Sequence, residues 1–223
     1  GEPMERVTAF VASARRKHTW RAVEQFLGNL RARGEVECEI VSLKDYRIEA
    51  CRGCMACFDR GEEFCPLHDD RDQLIAKIRA SDGVVFASPN YSFQVAGPMK
   101  MFLDRLAFAF HRPQFFGKTW TGIVAQGIFG GGKIVKYLNF VGSGMGFRTV
   151  KGSCLMTCEP IPDKTQAKND RSLARQAKRF AATLAGPAFP AASLAWLAIF
   201  RMSRTRIRLL RDPGCPARPP NQA

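Results

Sequence analysis

Residues 83–105 read GVVFASPNYSFQVAGPMKMFLDR, and the order of signals inside them decides the fold. Residues 83–87 are apolar or small without alternation, which reads as a short strand buried on both faces. A polar and aromatic loop follows, Ser88-Pro89-Asn90-Tyr91-Ser92-Phe93. Pro98 then stands where the first turn of a helix accepts proline, and the apolar spacing beyond it predicts a helix over 98–110. A strand buried on both faces that hands over to a helix belongs to a parallel sheet with helices on either side.

The same handover recurs outward in both directions. Residues 6–12, 36–43, 119–125 and 147–153 read as further strands, and 19–33, 70–80 and 132–141 as helices. Five strands with this alternation fit a flavodoxin-like doubly wound α/β fold, in which ligands sit beyond the C-terminal ends of the strands. The loops after Ala12, Ala87 and Ala125 should therefore line one site. This part, residues 4–163, is expected as the main domain, with a cysteine-bearing loop at 50–66.

The chain has 223 residues, 46% hydrophobic and 24% charged, which suits one folded domain with an appendage and excludes a disordered chain. Its net charge of +14 is unevenly placed. Residues 1–163 carry 22 basic and 18 acidic side chains, whereas residues 164–223 carry 12 and 2. The nearly balanced body argues against a nucleic-acid-binding core, and any anionic partner should meet the tail. Residues 7–12 are apolar but short and flanked by charge, so they do not read as a signal peptide. A cytoplasmic, reducing setting is expected, in which clustered cysteines serve as metal ligands or redox groups rather than disulfides.

The first loop reads Ser13-Ala14-Arg15-Arg16-Lys17-His18-Thr19, directly before a helix. Hydroxyls, cations and a helix N-terminus together favour an anion such as a phosphate, the bland alternative being a plain helix cap among exposed basic residues. The second loop, 88–93, can offer a stacking face and backbone donors to a planar ring, or can pack Tyr91 and Phe93 inward. The third, Gln126-Gly127-Ile128-Phe129-Gly130-Gly131-Gly132, is dense in glycine where backbone can approach a ligand closely. No catalytic acid or base is assigned.

Cys51, Cys54, Cys57 and Cys65 form the strongest local signal, CxxCxxC followed by a cysteine and Pro66. Such a compact loop fits an iron–sulfur cluster, with zinc and free or redox-paired thiols as the alternatives. Cys154 and Cys158 read as buried thiols rather than a redox pair, Cys38 as core, Cys215 as a tail thiol, and His68 as surface.

Residues 13–19, 88–105 and 126–132 together resemble the flavodoxin-like NADPH-dependent FMN reductases and their iron–sulfur flavoprotein relatives. The segment SPNYSFQVAGPMKMFLDR carries the likeness most strongly. The resemblance implies FMN, its phosphate at Ser13, Arg15, Lys17 and Thr19, and its isoalloxazine against Pro89, Asn90, Tyr91, Ser92 and Phe93 and against Gln126, Gly127 and Ile128. It also implies a 4Fe–4S cluster on Cys51, Cys54, Cys57 and Cys65. Ala12, Ala14 and His18 depart from the family's phosphate loop.

On this basis the chain is expected to be an FMN-dependent oxidoreductase taking electrons from ferredoxin or NAD(P)H to a small acceptor, as a homodimer or homotetramer. The rivals are a cluster-free NAD(P)H-dependent FMN or quinone reductase, and a non-catalytic electron carrier or docking module. The remainder, 164–211, is expected as a basic and apolar helical extension, with helices at 165–185 and 191–210 and a disordered tail at 212–223. Residues 180–200 carry no charge, but Gly186, Pro187 and Pro190 interrupt them, which disfavours a membrane span. The extension is expected to pack on its own domain or a second subunit, with membrane-surface contact as an alternative.

Overall fold

The structure, a computed structural model, describes residues 4–187 and 201–202. Its strands are β1 (Glu5–Val11), β2 (Val36–Ser42), β3 (Gly83–Tyr91), β4 (Gln94–Val95), β5 (Thr119–Gln126), β6 (Arg148–Thr149) and β7 (Ser153–Met156). Its α-helices are α1 (His18–Arg31), α2 (Ala56–Asp59), α3 (Arg71–Ala80), α4 (Gly97–Arg105), α5 (Phe108–His111), α6 (Gly131–Gly144) and α7 (Asp163–Leu184). The parallel order is β2-β1-β3-β5, with β6 and β7 both alongside β5 as one interrupted edge strand. That is the flavodoxin-like order, as the alternation of apolar runs and helices predicts.

Side chains alternate between two cores. Val7, Ala9 and Val11 of β1 join one with Val23, Phe26, Leu27 and Leu30 of α1 and Leu173, Ala177 and Phe180 of α7. Phe10 points the other way, 5.3 Å from Phe86 and 5.7 Å from Phe102. Each such buried side chain contributes roughly 1.5–3 kcal/mol, so the two layers fix which strand ends lie together. Gly83 makes room for α7, since a Cβ there would stand 2.7 Å from the Phe180 ring.

Three elements differ from the sequence expectation. β3 runs on to Tyr91 through Pro89, because β1 reaches only as far as Ala87 in the register. The missing proline N–H faces a place with no strand to receive it. The helix expected over 98–110 stops at Arg105, and the turn that follows keeps both Leu106 and Phe108 buried. The last strand, expected at 147–153, breaks and continues to Met156. At the break Gly152 approaches Gly122 so closely that a Cβ would lie 2.2 Å from the Gly122 carbonyl oxygen. Buried Gln176 of α7 donates to that oxygen and to Thr121 Oγ1, supplying partners where the ladder lapses.

The helix expected at 165–185 is α7, which packs in the same compact unit as the sheet. Residues 201 and 202 are helical. The rest of the expected helix at 191–210 and the expected tail at 212–223 lie outside the described residues. Among the described residues no helix is long and apolar enough to cross a membrane.

Candidate active site

Beyond the C-terminal ends of β1, β3 and β5 lies a cavity of about 220 Å³. One side is the start of α1. Lys17 precedes the helix without making a side-chain cap, and the first turn holds no acidic residue. The unpaired N–H groups of such a turn, with the helix dipole behind them, favour an anion. Arg15 and Lys17 line the cavity beside Ser13 and Thr19. Ser13 donates to the Arg15 carbonyl at 2.7 Å and so tightens the loop, while Arg16 turns away over the Trp20 ring.

The opposite side is the β3–β4 hairpin and the loop after β5. Ser92 and Phe93 both have positive φ, 50° and 62°, as a two-residue hairpin turn demands. Asn90 donates from Nδ2 to the Phe129 carbonyl at 2.9 Å, and the Phe93 and Phe129 rings lie 5.3 Å apart. The two loops are thereby locked together. Gly130, at φ 93°, sits under Phe93 where a Cβ would come within 2.7 Å of the ring. Asn90 Oδ1 is buried without a partner, an acceptor left for a ligand. Tyr91, Phe93, Ile128 and Phe129 are exposed around the mouth.

Of the expected ligand residues, Ser13, Arg15, Lys17, Thr19, Pro89, Asn90, Tyr91 and Gly127 line this cavity. Ser92, Phe93, Gln126 and Ile128 do not. Ser92 and Phe93 form the turn, and Ile128 points to solvent. Gln126 accepts from the Gly131 N–H at 2.6 Å and so fastens the start of α6. His18 of the first loop lines the cavity as well, whereas the sequence reading missed Ala125, Thr157 and Glu159 as lining residues. His18 Nε2 lies 3.1 Å from Glu159 Oε1 across the mouth. Thr157 and Glu159 follow β7, and extending the last strand through the apolar Leu155 and Met156 is the signal that finds them.

The four cysteines of the loop line a second cavity, together with Arg71 and Arg105. Gly53 and Met55 both adopt left-handed backbone, at φ 65°, which coils the CxxCxxC segment tightly. Burial pushes the Cys57 thiol up, and the nearby Cys65, Cys51 and Cys54 push it further. The space enclosed is about 40 Å³. Among the described residues no three His, Cys, Asp or Glu side chains converge as a single metal ion requires.

The other expected thiols and histidines divide. Cys154 is half-buried, with its thiol pushed up by burial, but Cys158 is exposed where a buried thiol was expected. Cys38 is half-buried rather than core, because β2 is an edge strand. His68 is exposed as expected, and Cys215 lies outside the described residues.

A parallel sheet in this order, with its cavity beyond the strand ends and against a helix N-terminus, places the protein among the flavodoxin-like α/β proteins. The chain belongs to the NADPH-dependent FMN reductase family, whose profile matches residues 5–159. It is 37% identical over 106 residues to an iron-sulfur flavoprotein of Archaeoglobus fulgidus, a match covering 47% of each chain. The chain thus spans half or less of the length of the first curated relatives it matches. RosB, solved with a bound 8-demethyl-8-formylriboflavin-5'-phosphate intermediate, superposes with a TM-score of 0.64 at 14% identity, over 98% of this chain and 92% of its own. The NAD(P)H:quinone oxidoreductase of Methanothermobacter marburgensis does so with a TM-score of 0.61 at 17% identity, over 79% and 98%. These two likenesses show the shared fold.

Proposed function

We propose that the chain is an FMN-dependent oxidoreductase that passes electrons from NAD(P)H or ferredoxin to a small acceptor. The observation that carries this reading is the first cavity, where an uncapped helix start with Arg15 and Lys17 shares one space with Asn90, whose Oδ1 is buried and unpartnered. An anionic group at one end and a hydrogen-bonding planar group at the other match a flavin mononucleotide.

The phosphate is held by Ser13, Arg15, Lys17 and Thr19. The ring lies against Pro89, Asn90, Tyr91 and Gly127, and Gly127 has open space around it and imposes no side chain. Bound FMN supplies the exchange between two-electron and one-electron chemistry. Lys17 and Arg15 balance the phosphate charge. Asn90, held by Phe129, orients the ring, and the exposed aromatic rim sheds water from its edge. That exposed rim also supports a homodimer or homotetramer in which a second copy covers it.

Cys51, Cys54, Cys57 and Cys65 hold a 4Fe–4S cluster in this reading. Four thiols around one cavity fit the donor set. A cluster takes each sulfur on a different iron, so the thiols need not converge on one point. A second reading, a cluster-free reductase, is favoured by the small space between the thiols as they stand. All seven cysteines among the described residues are unbridged, which supports a reducing, cytoplasmic setting.

The test is an absorption spectrum of anaerobically purified protein with released flavin, iron and sulfide measured per chain. Flavin bands with iron and sulfide near four per chain are expected for a 4Fe–4S site. Flavin without iron selects the cluster-free reductase. Protein that takes up no flavin on reconstitution, or that binds flavin but turns over with no donor, refutes the enzyme.

A further inference from the structure

The loop that carries the four cysteines is fastened by a buried ion pair outside it. Arg105, at the end of α4, and Asp69, just after the loop, have side chains only 2% and 1% exposed. The guanidinium grips the carboxylate at two points, Nη1 to Oδ2 at 2.6 Å and Nη2 to Oδ1 at 3.2 Å. Its Nη1 also donates to the Glu49 carbonyl at 3.1 Å. Asp69 in turn accepts the Glu49 N–H at 2.7 Å and the Arg71 N–H at 3.2 Å. Residues 49 and 69 are the two ends of the loop, so one fork of hydrogen bonds closes it at its base.

One further donor of the same fork points into the loop, with Arg105 Nη2 lying 3.6 Å from Cys65 Sγ. A second buried guanidinium, Arg71, lines the same cavity. Its carboxylate partner, Asp72, is 74% exposed, so water weakens that compensation. The cavity is thus lined by two buried cations, Arg71 and Arg105, with the exposed Arg52 and the half-exposed Asp104, itself paired with Lys100, at its edge. Only Asp69, behind Arg105, is a buried carboxylate. An apolar cavity with excess positive charge favours anionic occupants, and a donor to sulfur favours the state in which sulfur holds more negative charge.

We propose that Arg105 is a positioning residue for the cysteine site. It holds the two ends of the loop together, and it compensates the charge of a thiolate-held cluster through Cys65. The proposal rests on the reading that the four cysteines hold an iron–sulfur cluster. Hydrogen bonds to the sulfurs and local charge set a cluster's potential, and partners behind the ligands commonly change metal affinity by about 10- to 100-fold.

The experiment uses the full chain, purified anaerobically, as wild type, Arg105→Gln and Arg105→Lys. Flavin per chain reports folding, because Arg105 does not line the flavin cavity. Flavin-replete Arg105→Gln is expected to release iron to a chelator about ten times faster or more. Its cluster potential is expected to move to more negative values, since the cation that favours the reduced form is gone. Arg105→Lys keeps a cation without the fork, so it should recover part of the potential while still losing iron quickly. Flavin-replete variants with wild-type iron content, release rate and potential overturn the role of Arg105 and leave the cluster reading standing. Wild-type protein that holds no iron or sulfide after reconstitution overturns the cluster reading and this proposal with it.

Discussion

The two cavities are made by opposite means. The first cavity is built from the sheet: the ends of three parallel strands and the start of α1 meet there as the two cores set them. The cysteine cavity is built from an excursion between β2 and α3 that contains only short helical turns. What holds it is side-chain chemistry, above all the buried Arg105–Asp69 pair. A site of the first kind tolerates changes to its polar residues without losing its shape. One of the second kind depends on a few buried residues behind the thiols.

The strongest way to break this contrast is to cut the buried pair. Arg105→Gln leaves Asp69 buried without its cation, and unfolding in urea is expected to show a loss of about 3–5 kcal/mol. Arg15→Gln and Lys17→Gln alter exposed side chains at the other cavity and should change stability by about 0.5 kcal/mol or less. Equal losses in both places would dissolve the distinction.

The next effect runs the other way, on binding. Removing a charge-assisted hydrogen bond costs about 1.5–3 kcal/mol, so each of Arg15→Gln and Lys17→Gln should weaken FMN roughly 10- to 100-fold. Riboflavin, which lacks the phosphate, should bind both variants and wild type alike. Flavin fluorescence titrations measure both.

Gly130→Ala sharpens the picture of the ring-side loops. A side chain forced to φ 93° costs about 1–2 kcal/mol, and the new Cβ meets the Phe93 ring as well. A lower thermal midpoint and weaker binding of riboflavin and FMN together are expected, since both share the ring.

The smallest effect is on acid stability. Burial raises the Asp69 pKa, but the Glu49 N–H, Arg105 and the Arg71 N–H outweigh it and hold the carboxyl below its ordinary range. A group depressed in the folded state contributes its full stability above its unfolded value, about 3.9, and loses it as pH falls through the lower folded value. Urea midpoints measured down through that range should fall more steeply in wild type than in Asp69→Asn.

The same contrast explains what the sequence made legible. Buried strands are short apolar runs, so the sheet, its order and the three site loops could be read from residues 6–12, 83–87 and 119–125. Strand ends were less legible: Pro89 reads as a breaker although the register shows that no partner is lost there, and the last strand, expected to end at 153, runs on to Met156. That error hid Thr157 and Glu159 from the site. At the second cavity the spacing of Cys51, Cys54, Cys57 and Cys65 announced itself, whereas Asp69, Arg71 and Arg105 did not. A charged residue looks the same in sequence whether it ends buried against a partner or solvated, and only the fold decides between them.

The most direct test of the central claim is a titration of flavin-free protein with FMN and with riboflavin, followed by quenching of flavin fluorescence. One FMN per chain is expected, bound at least about ten times more tightly than riboflavin, with Arg15→Gln and Lys17→Gln removing most of that difference. Equal affinity for the two flavins, or a preference for FMN that survives both substitutions, would contradict the assignment of the phosphate to the start of α1.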